Sequence, residues 1–334
     1  MITIVGGGLA GLSLGIALRR RGVPVTLHEA GIYPRHRVCG EFISGASQGT
    51  FDSLGIGDLF DDAKRHRSTA WFFRSQRIFS TQLPGGLGIS RFTLDDRLSR
   101  KFQELGGLLC ERSRRRPEGE DGLVWCAGRM PARGRWIGLK CHVLGLELHA
   151  DLEMHLASNG YLGLANVEQE KVNVCGLFRL EPQLSGKGIE TLGRYLSAGG
   201  LDALAGRIFA ARVDEESFLG VAGFRLGWQE PRDGIVALGD AWGMIPPFTG
   251  NGMSMAFESA EIAADPLHAW HARRRTWAET VERLREELRR RFARRMFWGR
   301  AMHPFLTTDA GQAFFTLVSR SGLLPFNSCF HALR

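Results

Sequence analysis

The chain has 334 residues, of which 44% are apolar and 23% charged, and its net charge is +8. This composition is typical of a globular protein with room for two domains, and it argues against disordered and fibrous classes. The six cysteines are scattered without a C-x-x-C pair, which fits a reducing cytoplasm rather than a disulfide framework or a structural zinc site. We therefore expect a cytoplasmic protein without a metal.

The chain opens with an uncharged stretch, MITIVGGGLAGLSLGIAL, followed by three arginines. A signal peptide carries its positive charge before the apolar stretch, and a spanning helix is not interrupted by five glycines. We predict instead a strand at 2–5, a helix over 9–21 and a second strand at 25–28, closed by Glu29.

Three glycines of this unit, Gly6, Gly8 and Gly11, form a G-x-G-x-x-G pattern. The first permits a tight turn, the second lets the backbone approach a pyrophosphate, and the third lets the helix pack on the strand. The helix N-terminus attracts phosphate, and Glu29 can accept hydrogen bonds from adenosine ribose hydroxyls. Together these features predict a dinucleotide site.

The middle of the chain predicts a sheet. Residues 136–180 alternate in hydropathy, with turn signals at Asn159-Gly160 and in EQEK. On one of these strands Lys140 and His142 share a face, which we expect to be solvated. A helical pattern follows over 188–209.

The last long helix is predicted to start at Asp265-Pro266, as N-cap and first-turn proline. Over 273–300 eleven arginines stand against four glutamates. Two interpretations are open: a solvated basic face, or a docking surface for an acidic carrier protein or an anionic membrane, which would make the protein membrane-peripheral. We expect no nucleic-acid partner. The apolar stripe of this helix consists of Trp277, Val281, Leu284, Leu288, Phe292 and Met296.

The segment VALGDAWGMIPPFTGNGM resembles the second FAD fingerprint of the geranylgeranyl reductase and p-hydroxybenzoate hydroxylase superfamily. In that family a strand ends in Gly-Asp, and a Pro-x-x-Gly-x-Gly turn opens a helix. A carboxylate at the strand end can hold a ribityl hydroxyl, and the helix N-terminus favours negative charge on reduced flavin. The resemblance implies FAD as cofactor, with NAD(P)H as the candidate electron donor. The residues that it assigns to the cofactor here are Gly239, Asp240, Pro247, Gly250, Asn251, Gly252 and Met253.

Two further segments are similar to the same superfamily. RFTLDDRL is similar to its Arg-x-x-Leu-x-x-x-Leu helix start, which implies that Arg91 lies near FAD. RHRVCGEFIS is similar to the Cys-Gly-Glu segment of geranylgeranyl-reductase-like enzymes found beside polyketide synthases, which implies secondary metabolism and a cofactor contact for Arg37. One departure is that Gly128 and Arg129 stand where an Asp-Gly pair is common, which leaves direct NAD(P)H handling open.

The predicted fold class is α/β, with a discontinuous Rossmann-like FAD-binding domain, a β-sheet substrate domain and a helical C-terminus. The predicted domain ranges are 1–65, 88–134 and 220–265 for FAD, 66–87 and 135–219 for substrate, and 266–334 for the helical region.

The leading functional interpretation is an FAD-dependent oxidoreductase that reduces or dehydrogenates carbon–carbon bonds of an apolar prenyl or polyketide-like substrate, free or carrier-bound. Flavin supplies the hydride chemistry, and Cys39, Glu41 and Tyr161 are the candidate proton donors. One alternative is a flavin-dependent monooxygenase that hydroxylates an aromatic ring. Another is a flavoprotein that only binds FAD or passes electrons to a partner.

Overall fold

The fold is seen in a computed structural model that describes residues 1–116, 119–129, 132–229 and 234–334. The strands formed by these residues are β1 Ile2–Val5, β2 Val25–His28, β3 Phe42–Ile43, β4 Lys64–Phe73, β5 Gln76–Gly88, β6 Leu108–Cys110, β7 Leu123–Trp125, β8 Trp136–Leu144, β9 Leu152–Ala157, β10 Gly160–Asn166, β11 Lys171–Arg179, β12 Arg212–Ala222, β13 Gly227–Trp228, β14 Val236–Ala237 and β15 Gly243–Met244. The helices are α1 Leu9–Arg20, α2 Gln48–Leu54, α3 Arg91–Glu104, α4 Glu190–Ala198, α5 Asp202–Ala210, α6 Gly252–His271, α7 Trp277–Met302, α8 Pro304–Thr307, α9 Asp309–Arg320 and α10 Phe326–Ala332.

A five-stranded parallel sheet in the order β14-β7-β1-β2-β6 carries the first sequence motif. The predicted strand, helix and second strand at its centre are confirmed, and so is the mixed α/β fold class. Glycine is required where the turn closes, since a Cβ on Gly11 would lie 2.0 Å from the carbonyl oxygen of Gly6. The turn therefore fixes the N-terminus of α1 at the carboxyl edge of the sheet, where open α/β folds bind ligands.

An eight-stranded sheet, in the order β12-β8-β11-β10-β9-β4-β5-β3, forms the second layer. One of its faces packs against α4 and α5, which divide the predicted helical stretch at Gly199-Gly200. The opposite face contacts the body that contains the parallel sheet, for example where Asn173 bonds the carbonyl of Cys39. The segments predicted for the FAD domain supply every strand of the parallel sheet, although β3 joins the larger sheet. The division into domains stays a prediction.

The predicted helix start at Asp265-Pro266 is wrong, because α6 continues through Pro266 to His271. The start of α7 is fixed instead by a capping box, in which Thr276 and Glu279 satisfy each other's backbone N–H groups. The predicted apolar stripe of α7 is buried in the same core as α1 and α6, as expected. No helix within the described ranges has the length and apolar character needed to cross a bilayer.

Candidate functional site

The first end of the site is the glycine loop beside Glu29. The buried carboxylate of Glu29 accepts hydrogen bonds from the backbone N–H groups of Gly7 and Gly31, both at 2.8 Å. The guanidinium of Arg35 lies 2.5 Å from it, and that of Arg37 lies 3.4 Å away. Burial alone would raise the pKa of Glu29, but Arg37, the N–H groups and Arg35 hold it below the usual value. Glu29 is therefore an ionised acceptor at neutral pH.

Asp95 is a site residue that the sequence analysis missed. Its fully buried carboxylate holds Arg37 through Nε at 2.7 Å, and Arg91 through Nε at 2.7 Å and Nη2 at 2.9 Å. Arg37 also donates to the carbonyl oxygen of Gly7, 3.2 Å away. Asp95 thus fixes two cations in front of the α1 N-terminus. The sequence feature that could have indicated its role is its position four residues after Arg91, one turn along the same helix.

Tyr33 is a second residue that the sequence analysis missed. Its hydroxyl donates to the carbonyl oxygen of Gly7 at 2.5 Å, and a Cβ on Gly7 would lie 1.9 Å from that hydroxyl. The pKa of Tyr33 is raised well above its usual value by burial and by Glu29. Tyr33 therefore stays protonated and acts as a donor that helps to set the glycine loop.

The other end of the site follows β14. Asp240 comes directly after Gly239, which has a φ of +61°, and its carboxylate is half-buried. Within the described ranges no group donates a hydrogen bond to it. Burial raises the pKa of Asp240, and the charges of Arg91 and Arg129 oppose that rise. Such a carboxylate suits a ligand that brings its own hydroxyl donors.

The start of α6 forms the rest of this end, and α6 packs against the Gly239-Asp240 turn: the backbone N–H of Gly239 donates to Oγ of Ser259 at 3.1 Å. Gly250 turns the chain with a φ of +64°, and no atom lies within 4 Å of the Cβ position of Gly252. The 3₁₀ turn Pro247–Thr249 precedes it. The side chain of Asn251 donates to the carbonyl of Thr249, while its buried Oδ1 has no partner in the described part of the chain. Met253 is buried in the core, so only its backbone N–H can serve a cofactor.

Arg91 connects the two ends. One of its guanidinium nitrogens lies 3.7 Å from the Cβ position of Gly8, and its charge also acts on Asp240 and Cys39. Near this point the Cβ position of Gly239 lies 3.2 Å from the Cβ of Ala10 in α1. An elongated ligand can therefore run from Glu29 over Gly8 and Arg91 to Asp240. These residues fit FAD: α1 would hold the pyrophosphate, Asp240 a ribityl hydroxyl, and the N-terminus of α6 the ring.

The Cys-Gly-Glu segment meets the large sheet at Glu41. This residue is fully buried with a φ of +53°, and its Oε2 lies 2.6 Å from Nε2 of His142. Its Oε1 accepts from the backbone N–H of Arg91 at 2.9 Å, and the ammonium of Lys140 is 3.6 Å away. Burial opposes ionisation, but the bond from His142 and the charge of Lys140 lower the pKa of Glu41. The expected solvated face of Lys140 and His142 is thus wrong, because their strand pairs on both sides and packs against Glu41.

Cys39 lies beside this pair. Its Sγ accepts from the backbone N–H of Glu41 at 3.4 Å, and its carbonyl accepts from Asn173 at 3.0 Å. Burial raises the pKa of the Cys39 thiol, although Arg91 acts in the opposite direction. At neutral pH the thiol therefore keeps its proton, whereas Glu41 is ionised. Of these two proposed proton donors, only Cys39 carries a proton to give.

Tyr161 supports the loop that precedes α6. Its hydroxyl accepts from the backbone N–H of Phe248 at 3.2 Å, and its ring packs against the rings of Phe248 and His303. Burial raises the pKa of Tyr161, so its hydroxyl stays protonated. This geometry gives Tyr161 a positioning role for the turn at Pro247.

A cluster of possible metal ligands lies behind Glu41. Ligand atoms of His36, His142 and Asp214 fall within 4.8 Å of one another. However, Nζ of Lys140 lies 3.2 Å from Nδ1 of His36, and an ammonium at that distance repels a metal cation. We assign no metal to this cluster.

No protein-family model matches the sequence, and no curated protein matches it. Solved structures do match its fold. HpxO of Klebsiella pneumoniae, solved with FAD and uric acid, is 16% identical, with a TM-score of 0.75 over 100% of this chain and 96% of that chain. The p-nitrophenol 4-monooxygenase PnpA of Pseudomonas putida is 15% identical, with a TM-score of 0.76 over 99% and 96%.

PqsL of Pseudomonas aeruginosa, in complex with 2-aminobenzoylacetate, is 15% identical, with a TM-score of 0.71 over 96% of this chain and 98% of that chain. This chain shares their fold. At such identities the likeness shows the fold alone, and it covers at least 96% of each chain. The expected place in a geranylgeranyl-reductase-like branch has no support among these structures: PqsL is described as a probable FAD-dependent monooxygenase, PnpA as a monooxygenase, and HpxO was solved with FAD.

Proposed function

We propose that the protein is an FAD-dependent oxidoreductase of the monooxygenase kind that acts on a small aromatic or otherwise apolar substrate. The observation that carries the proposal is the position of Arg91, which lies beside Gly8 at the start of α1 while its charge acts on Asp240, in a fold that the monooxygenase PnpA shares over 99% of this chain. We therefore favour oxygenation, the alternative interpretation of the sequence, over reduction of a prenyl chain.

The chain's own groups divide the binding work. Backbone N–H groups at α1 would bind the pyrophosphate, and Asp95 holds Arg37 and Arg91, which would act on the same charge. Asp240 would accept hydrogen bonds from ribityl hydroxyls, and the first N–H groups of α6 would favour negative charge at the ring. Bound FAD would supply hydride transfer and oxygen activation, which no side chain supplies.

The sheet face above this site would exclude water and orient the substrate. Its lining combines the polar groups near Glu41 with a cluster of rings that includes Tyr161, Phe248 and His303. A mostly apolar pocket with a few fixed polar groups is typical of small-molecule sites. The lining supports an aromatic or apolar substrate, whose identity the experiment below would find.

A second candidate function is reduction of a carbon–carbon double bond in an apolar chain. The protonated Cys39 thiol favours it, since such a reduction needs a proton at one carbon as hydride reaches the other.

The electron donor is a separate question. Arg129, whose guanidinium lies 5.6 Å from the centre of the Phe224 ring, stands at the position of the expected Asp-Gly pair. Because that pair is missing, we propose to test NADH, NADPH and a separately reduced flavin as electron donors.

In the deciding experiment the FAD-loaded protein is reduced without oxygen by light and a sacrificial electron donor such as EDTA, and substrates from two panels are then added. With aromatic substrates and isotopically labelled oxygen, a product carrying the label supports monooxygenation. Reoxidation of the flavin by an unsaturated chain in the absence of oxygen supports reduction instead. Reversible flavin reduction without any product would support an electron-transfer flavoprotein instead of either enzyme.

A further inference from the structure

An unusual apolar surface lies on the C-terminal helices. Six of the twelve exposed large hydrophobic side chains in the described part of the chain fall between residues 297 and 323, whereas the other six are spread over the first 209 residues. Single exposed apolar residues need no explanation, but exposed apolar residues in contact with one another are typical of an interaction site. Here the ring centroids of Phe297 and Trp298 are 5.3 Å apart, and those of Phe305 and Phe314 are 5.7 Å apart. We call this group the apolar patch; it consists of Phe297, Trp298, Phe305, Phe314, Leu317 and Leu323.

Helix α9 shows most clearly that this surface is built to be covered. It buries the polar side chains of Gln312, Thr316 and Ser319, while Phe314 and Leu317 are 56% and 68% exposed. The hydroxyls of Thr316 and Ser319 have no hydrogen-bond partner among the described residues. A helix on a water-exposed surface is expected to bury its apolar side chains and expose its polar ones. Its apolar side therefore faces a non-aqueous partner.

The charge around the patch identifies that partner as anionic. From residue 289 to the end, eight arginines stand against a single acid, Asp309, and only two of the eight, Arg291 and Arg295, pair with a carboxylate elsewhere in the described chain, that of Glu258. On α7, Arg294 and Arg300 lie three residues before and after the exposed Phe297, a spacing that puts all three residues on one side of the helix. Neither arginine has a carboxylate partner within the described ranges. Arginines that flank exposed aromatic rings are typical of helices that lie in the headgroup region of a bilayer.

We propose that the apolar patch docks the protein onto an anionic phospholipid surface, without crossing it. A second copy of the chain is a poorer occupant, because two identical patches would bring arginines against arginines. An acidic carrier protein would satisfy the arginines but would not by itself explain six exposed apolar side chains, five on three successive helices and Leu323 just after the last of them. Lipid satisfies both features at once.

The patch also lies close to the candidate site. His303, between α7 and α8, packs against the rings of Tyr161, Phe248 and Trp136. The neighbouring Phe305 belongs to the patch, and its ring centroid is 5.7 Å from that of Phe314. A substrate dissolved in the bilayer would therefore reach the site from the docked side. This last step rests on the proposed function, whereas docking itself does not.

Docking is tested by sedimentation of the full-length protein with vesicles, a readout that needs neither FAD nor turnover. We expect the protein to sediment with phosphatidylcholine vesicles containing about one-third phosphatidylglycerol, and about tenfold less with phosphatidylcholine alone. The double variant Phe314→Ser, Leu317→Ser is expected to lose roughly tenfold of this binding. Its matched control, Leu180→Ser with Phe209→Ser, removes exposed apolar side chains outside the patch and is expected to bind normally.

Charge is tested in the same assay. Arg294→Glu with Arg300→Glu is expected to remove the preference for anionic vesicles at low salt, while Arg114→Glu with Arg116→Glu, in a loop outside the C-terminal region, leaves it unchanged. Unaltered circular dichroism and melting temperature show that the variants fold. Equal sedimentation of patch and control variants would overturn the proposal. It would also be overturned by a wild-type dimer that the Phe314, Leu317 variant converts to monomer, or by binding of an acidic acyl carrier protein in place of vesicles.

Discussion

Glu41 and His142 are far apart in sequence, and their side chains meet at 2.6 Å in a fully buried contact. Glu41 belongs to the loop that leads into the candidate flavin site, and His142 belongs to β8 of the large sheet. Their contact fixes the Cys39-Gly40-Glu41 loop against the sheet.

Removing the histidine should therefore weaken the fold. We expect His142→Ala to lower the free energy of unfolding by about 2 kcal/mol, because one oxygen of a buried carboxylate loses its partner. Urea denaturation measures the change. The exposed His331→Ala is the matched control and should change stability little. Equal effects of the two substitutions would contradict a buried hydrogen bond between Glu41 and His142.

The same contact predicts a pH dependence. The pKa of Glu41 is held below its usual 4.5 by His142, Lys140 and the N–H of Arg91, against the effect of burial. A carboxyl group with a lowered folded-state pKa stabilises the fold above its unfolded pKa, and that stability is lost as pH falls through the folded value. Stability measured from about pH 6 down to about pH 3 should fall less steeply in Glu41→Gln than in the wild type. Identical slopes would count against an ionised Glu41.

Asp95 predicts a cofactor-specific defect. Asp95→Asn should weaken FAD binding by about tenfold, because Arg37 and Arg91 lose the carboxylate that aims them at the pyrophosphate. Fluorescence titration measures the affinity. Asp96→Asn, which breaks only a surface pair with Arg100, is the control. If Asp96→Asn weakened FAD binding as much as Asp95→Asn, the anchoring role would be wrong.

Alanine substitutions at two helical glycines distinguish effects on stability from effects on FAD binding. No atom lies within 4 Å of the Cβ position of Gly252 or of Gly206. Alanine at Gly206, inside α5, should stabilise the protein by about 0.5–1 kcal/mol and leave FAD binding unchanged. Alanine at Gly252 should also be tolerated by the fold but weaken FAD binding, since the added methyl enters the space assigned to the ring. Thermal melts and FAD titrations of both variants test this. Unchanged FAD affinity in Gly252→Ala would show that the flavin ring does not lie against Gly252.

Cys39 predicts a catalytic defect without loss of cofactor. Cys39→Ala should retain FAD, because no cofactor contact is assigned to the thiol, and should slow substrate-dependent reoxidation of reduced flavin if its proton is used. Stopped-flow absorbance measures that rate. Cys329→Ala, on the C-terminal helix α10, is the control. An unchanged rate of reoxidation in Cys39→Ala would show that the thiol does not supply the proton, and the reductase candidate would lose its support.

The features predicted from sequence are those set by short-range geometry. The Gly6, Gly8 and Gly11 turn and the helix that starts at Arg91 depend on local backbone requirements, so their positions were readable. The burial of Lys140 and His142 depends on Glu41, about one hundred residues earlier, and hydropathy alternation carries no record of that partner. The helix break expected at Pro266 failed for a related reason, since burial of the apolar side of α6 outweighs the local preference of proline.

The central claim is that Glu29, Arg91, Asp240 and Gly252 form one FAD site, and titration of the flavin-free wild-type protein with FAD tests it most directly. Calorimetry should give one FAD per chain, and Asp240→Ala should lose most of the affinity because the ribityl acceptor is gone. Wild-type protein that takes up no FAD, or that binds it equally well after Asp240→Ala, would contradict the account.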